Sequence, residues 1–181
     1  MNKFIKFMLF VLCAVALLFL SAQGIKSIYP TKYKAEVMQF CRQYELPESL
    51  VYAVIKAESN FDPNAKSSKY ALGLMQLVAP TGEWIYSMMD RPSFHADVLK
   101  DPRCNIELGC FYLSYLLDLY DGNKKCALAA YNAGQANVNN WRKDTKYSKN
   151  GTDLDVIPFP ETQRYVNQVL TNQRIYQMLY N

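Results

Sequence analysis

The chain has 181 residues, half of them hydrophobic, and 20 Lys and Arg against 16 Asp and Glu give a formal net charge of +4. That length accommodates one compact domain of ordinary size and one apolar N-terminal segment. The modest positive balance suits work near an anionic wall or membrane and implies no nucleic-acid partner. The single histidine, His95, leaves a Ser–His–Asp or Cys–His mechanism only one possible base, and it stands among the turn signals of RPSFHADVLKDP. The five cysteines show no CxxC or Cys–His spacing of a zinc site and do not read as a disulfide framework. Cys104 and Cys110, on one continuous helix, are too far apart along its axis to bridge easily. Cys41 and Cys126 sit among apolar neighbours and read as core. No metal and no cofactor are expected.

In chain order, Lys3 and Lys6 precede an uncharged run over residues 7–24. The run is long for a signal-peptide core and just long enough to cross a bilayer. The basic flank keeps the N-terminus in the cytoplasm and sends the remainder across. Ser21-Ala22-Gln23-Gly24 is a poor cleavage site, so a retained anchor is expected over a cleaved signal; both place the working domain outside the cytoplasmic membrane. The expected organisation is a signal-anchor or signal peptide over residues 1–25, a linker over 26–33 broken by Pro30, and a single domain over 34–181.

Residues 34–44 predict an amphipathic helix with Val37, Phe40 and Cys41 toward the core. Leu46-Pro47-Glu48 restarts a helix, with proline fitting the first turn and glutamate suiting the helix dipole there. In this second helix Leu50, Val51, Val54 and Ile55 share one face. At 100° per residue, Glu58 falls within about 10° of the middle of the same stripe. Pro63 bars a long continuation. An inward carboxylate favours its protonated form, and an acid held neutral near pH 7 is what general acid catalysis needs. From this helix alone, a surface carboxylate beside a cap is the alternative.

Residues 65–78 lose the helical period and read as a loop or small hairpin. A helix resumes over 81–89 with Trp84, Ile85 and Met88 spaced for one face. Asp101-Pro102 opens the next, with Asn105 a candidate cap; it is apolar on most sides to Leu119 and is the expected buried centre. Alanine-rich Lys124–Ala133 and then Gln135–Lys143 follow as shorter helices. Residues 144–160 form a polar loop long enough to expect a role at a cleft. Pro160 opens the last helix, 161–180, with Tyr165, Val169, Leu170 and Met178 available for packing. The domain is mainly α, with at most a small antiparallel hairpin.

Four stretches stand in a telling order: Glu58-Ser59 before NFDP, Gly73-Leu74-Met75-Gln76 before LVAPT, Ala130-Tyr131-Asn132-Ala133-Gly134, and Glu161-Thr162 before Tyr165-Val166. Together they resemble the catalytic domain of the soluble lytic transglycosylase family, relatives of goose-type lysozyme, over residues 44–169. The resemblance implies a lysozyme-like, mainly α (α+β) fold. It also implies cleavage of peptidoglycan between N-acetylmuramic acid and N-acetylglucosamine with closure of a 1,6-anhydro ring. By the same resemblance Glu58 is the acid/base, Ser59 its hydrogen-bonding neighbour, and Met75 and Gln76 line the sugar cleft, with Gly73 allowing close approach. Asn132 binds substrate, Tyr131 shapes that wall, and the Tyr165 hydroxyl orients the Glu58 carboxyl. The large helical superstructure of some members is missing from this chain.

Glycosidases usually pair two carboxylates. Asp62 reads as a loop brace, and Glu83 and Glu161 as helix-terminal charges. A lone inward acid points instead to assistance by the substrate's own N-acetyl group. The expected partners are peptidoglycan glycan strands, the membrane through the N-terminal helix, and a cell-envelope machine of unspecified kind. A hydrolytic muramidase of the same fold and a non-catalytic glycan-binding scaffold are the alternative functions.

Overall fold

The computed structural model describes residues 23–180 together with residues 4, 7, 8, 10 and 12. The chain divides into two units, Met1–Lys32 and Tyr33–Asn181. Most of the apolar run over 7–24, and with it the anchor expectation, lies outside the described residues. Among the described residues no helix is long and apolar enough to cross a membrane. Residues 23–28 are helical, so the stretch expected to begin a linker at residue 26 is helical through residue 28.

The second unit is mainly helical. Its described α-helices are α1 (Lys34–Gln43), α2 (Glu48–Ser59), α3 (Ala79–Met88), α4 (Pro102–Leu119), α5 (Lys124–Ala133), α6 (Gln135–Lys143) and α7 (Pro160–Tyr180), with a 3-10 turn at Ala96–Lys100. Between α2 and α3 the chain makes two isolated antiparallel bridges, Lys66 with Leu72 and Leu72 with Leu77. The expected small hairpin is therefore a tight loop of bridges; no strand occurs among the described residues.

The longest unbroken buried stretches lie in α2 and α5, not α4. Every residue over 49–55 of α2 is buried, and so is every residue over 126–130 of α5. Burying an aliphatic side chain contributes about 1.5–3 kcal/mol each, so the Leu50–Val51–Val54–Ile55 stripe anchors the domain. Helix α4 instead exposes Arg103, Asp118 and Leu119 and buries one broad face. It starts as the DP dipeptide predicts, but the cap is Asp101, whose carboxylate accepts the Cys104 N–H at 2.8 Å. Asn105 is one turn too deep to cap and is wholly buried.

Helix α7 packs along α2 through Tyr165, Val166, Val169 and Tyr176, the last stacked on Tyr52 at 5.4 Å. Met178 points away, 75% exposed. Loop 144–159 closes over α5 and α6 at a distance from the cleft residues. The Arg142 Nε–H donates to the Gly151 carbonyl, and the Trp141 and Phe159 rings meet edge to face at 5.0 Å. None of its residues lines the cleft described below, so its length serves packing. Cys41, Cys104, Cys110 and Cys126 are free thiols.

Candidate active site

Glu58 sits in the last turn of α2, which ends because Asn60 and Phe61 both take left-handed conformations, with φ of 49° and 66°. The turn reverses the chain and leaves the Glu58 side chain at the bottom of a cleft of about 370 Å³. Protein surrounds the carboxyl closely, but its surface is still partly accessible. Burial pushes its pKa from 4.5 up to about 7, against a smaller downward pull from the Tyr165 hydroxyl. The inward acid expected from the helical stripe thus keeps a substantial neutral fraction near pH 7, unlike an ordinary carboxyl.

Tyr165 reaches the same spot from α7. Its hydroxyl is buried without a partner of full hydrogen-bonding geometry, so the phenol lies beside Glu58 and is imperfectly aligned with it. Burial first, then the neighbouring Glu58 charge, raises the Tyr165 pKa well above its usual value. Tyr131, from the end of α5, is perturbed in the same order by burial and then by Glu58. Both phenols therefore stay protonated; the Tyr165 hydroxyl can donate to Glu58 when it is ionised, whereas the Tyr131 proton goes to the Met75 carbonyl.

The loop over 72–77 forms one wall, and its central peptide is clamped from both directions. Asn105 Oδ1 accepts the Met75 N–H at 2.7 Å, and the Tyr131 hydroxyl donates to the Met75 carbonyl at 2.9 Å. Asn105 Nδ2 also donates to the Leu72 and Leu99 carbonyls, at 2.9 and 2.8 Å. Gly73 has φ of 76°, and a Cβ there would lie 2.5 Å from Asn105 Nδ2 and 2.6 Å from the Leu99 oxygen. Its close approach is thus to the protein's own backbone clamp. The Met75 side chain is 0% exposed and packs on Gly109, where an added Cβ would overlap its sulfur. Met75 therefore does not line the cleft with its side chain; its peptide positions the wall. Ser59 likewise differs from expectation. Its hydroxyl is within donating distance of the Leu74 and Ile55 carbonyls, at 2.8 and 3.1 Å, and so ties the loop to α2 instead of bonding Glu58.

Gln76 and Asn132 do face the cleft. The Gln76 amide donates to the Ala65 and Gly73 carbonyls, which leaves its oxygen as an acceptor. The Asn132 oxygen accepts from the Thr162 hydroxyl at 2.8 Å, which leaves its NH2 as a donor. Glu161 and Lys69 stand at the rim as an exposed pair at 3.7 Å. Ser67, Thr81 and Tyr112 also line the cleft and were not singled out from sequence. Only the lysine-serine-rich polarity of the 66–69 loop offered a signal. Asp62 is a brace as expected, its carboxylate accepting the Asn64 N–H at 2.9 Å. Glu83 lies on the exposed side of α3, away from the cleft lining. Among the described residues no group of three or more His, Cys, Asp or Glu is arranged to hold a metal.

The transglycosylase SLT domain matches residues 37–153, well over half of the chain and including the α2 acid, the clamped loop and the α5 terminus. The chain belongs to that family. Relatives agree: the soluble lytic murein transglycosylase of Escherichia coli K12 is 31% identical over 150 residues, covering 82% of this chain and 23% of that protein. The Salmonella typhimurium enzyme of the same description matches to the same extent. Among solved structures, the 70-kDa soluble lytic transglycosylase of Escherichia coli superposes with a TM-score of 0.77 at 31% identity, over 84% of this chain and 25% of that one. A lytic transglycosylase from Pseudomonas aeruginosa, solved as an inactive mutant, gives 0.75 at 33% identity, over 86% and 25%. The chain thus has the mainly helical SLT fold and spans about a quarter of the length of these relatives.

Proposed function

We propose that this SLT-family chain is a lytic transglycosylase that cuts the MurNAc–GlcNAc bond of peptidoglycan and leaves a 1,6-anhydro end, with Glu58 as its acid and base. The observation that carries this reading is one carboxyl, kept substantially neutral near pH 7 by burial at the floor of an open cleft, with no second deep carboxylate beside it. Glu161, the other acid in the lining, is at the solvent-exposed rim and paired with Lys69.

Glu58 gives its proton to the glycosidic oxygen as the C1–O bond breaks. The N-acetyl oxygen of the muramic acid residue stabilises C1 in place of a protein carboxylate. The ionised Glu58 then takes the proton of the C6 hydroxyl while that oxygen bonds to C1. One residue serves both steps, its proton is restored, and no water is consumed. In this reading the Asn132 NH2 and the Gln76 oxygen hold the sugar's polar edges, Tyr165 donates toward the carboxyl, and Tyr131, its proton committed to the Met75 carbonyl, shapes the wall. The acceptor of cleavage is the glycan strand itself. The apolar run over 7–24 supports a domain held at the outer face of the cytoplasmic membrane, where this substrate lies.

The starting form of Glu58 is protonated, so turnover is expected to be high below pH 7 and to fall above it as the carboxyl ionises. Tyr165 pulls that pKa down. Tyr165→Phe removes the pull, so the falling limb should move to higher pH, with turnover between wild type and Glu58→Gln and little change in thermal stability. A pH–rate profile of Tyr165→Phe that overlays the wild type would return Tyr165 to a packing role.

A further inference from the structure

Cys41 on α1 and Cys110 on α4 take no part in the cleft and meet in the core, 4% and 0% exposed. Their thiols are within hydrogen-bonding reach of each other. Contacts on either side of the pair hold the two helices in register. On one side Arg103 donates to the Gln39 side-chain oxygen at 2.8 Å and stands over the Phe40 ring at 5.2 Å. On the other, the Tyr44 and Phe111 rings meet edge to face at 5.8 Å, and the Ser114 hydroxyl donates to the Tyr44 carbonyl at 3.0 Å. Cys104 and Cys126 are placed differently. Cys104 lies about 240° around α4 from Cys110, and the Cys126 sulfur is 3.6 Å from the Thr152 carbonyl.

We propose that Cys41 and Cys110 are a disulfide-forming pair, closed as the chain folds in an oxidising compartment and tying α1 to α4. Both are thiols in this structure. One cysteine thiolate attacks a disulfide oxidant, a small-molecule disulfide or that of an oxidoreductase, and displaces one of its two sulfurs. The second cysteine thiolate then attacks the mixed disulfide and displaces the other. Two thiols become one S–S bond, and the oxidant leaves as two thiols carrying both electrons and both protons. Folding is the time for this step, because the thiolate is the attacking form. In the folded chain burial first, and then the adjacent Cys41 thiol, push the Cys110 thiol well above its usual range. The bond closes a loop that contains Glu58 and the clamped wall over 72–77, so it opposes unfolding of the cleft. The competing role is packing, with each cysteine a small hydrophobe. Packing asks only for apolar surroundings, as at Cys126, which is 0% exposed. Two thiols set side by side on separate helices, between contacts that fix their spacing, go beyond it.

The full-length chain in detergent is unfolded and reduced, then refolded either in a glutathione redox buffer or in excess reductant. Free thiols are alkylated before proteolytic mapping. Protein refolded with glutathione should lose two thiols and yield one linked peptide pair, Cys41 with Cys110, while Cys104 and Cys126 are alkylated. Its thermal midpoint should lie about 5–15 °C above that of the reduced protein. Cys41→Ala should abolish that difference, and Cys126→Ala should keep it. Linkage of any other pair, alkylation of all five cysteines, or equal midpoints would overturn the proposal. The mapping uses wild type and so reads out even if Cys41→Ala fails to fold. It needs neither turnover nor a membrane, so its result is separate from the cleavage reading and from where the chain resides.

Discussion

Glu58→Gln is expected to lower turnover on purified peptidoglycan by about 10²–10⁴-fold or more, the scale of a lost general acid and base. Glutamine keeps the size and polarity of the side chain and removes only the titrating proton. The same substitution should leave a distinct mark on stability. Glu58 has its pKa raised in the folded chain from 4.5 to about 7, so the folded state binds a proton that the unfolded state has released across that window. Stability conferred by the neutral acid is complete below about pH 4.5 and is lost as pH rises through 7. At about 1.4 kcal/mol per pKa unit the loss is on the order of 3 kcal/mol. Glu58→Gln does not titrate, so its unfolding free energy relative to wild type should rise by about that amount between pH 4 and pH 8. Denaturant melts at the two pH values check it. A difference that stays flat with pH would mean that Glu58 is solvated, and near-full turnover would remove it from the chemistry.

Asn105→Ala should give a large loss of stability. Asn105 is wholly buried, and its three hydrogen bonds join the Leu72, Met75 and Leu99 backbone to α4. Alanine strands the Met75 N–H and the Leu99 carbonyl in the interior, each costing about 1–3 kcal/mol, while the Leu72 carbonyl keeps the Leu77 N–H. The expected loss is about 3–5 kcal/mol or more, a large share of the 5–15 kcal/mol that holds a typical domain together. Because Asn105 holds the Met75 peptide that also receives the Tyr131 hydroxyl, surviving protein should cleave poorly. Urea denaturation showing a loss below about 1 kcal/mol would contradict this clamp.

What the sequence could and could not reveal divides along contact range. Helix periodicity located α2 and turned Glu58 inward, because four aliphatic residues and one acid share a face within a single short helix. Gln76, Asn132 and Tyr165 were singled out by short motifs, and the structure brings all three around Glu58 or its cleft. Asn105 was misread as a cap because the DP dipeptide correctly signals a helix start, while the bonds that explain Asn105 run 30 and 33 residues back along the chain. Met75 was placed in the cleft by its motif neighbours. Its side chain turns inward because Gly109, on a distant helix, leaves a slot that only a missing Cβ can open. Loop 144–159 is long for the same reason: it has to cover the ends of α5 and α6, which local sequence does not announce.

Digestion of purified sacculi by wild type and by Glu58→Gln, with mass spectrometry of the released muropeptides, puts the whole account at risk in one experiment. Wild type should release fragments ending in 1,6-anhydro-muramic acid, each lighter by one water than the product of hydrolysis, and Glu58→Gln should release almost none. Reducing-end muropeptides in place of anhydro ends, or anhydro release by Glu58→Gln at the wild-type rate, would contradict it.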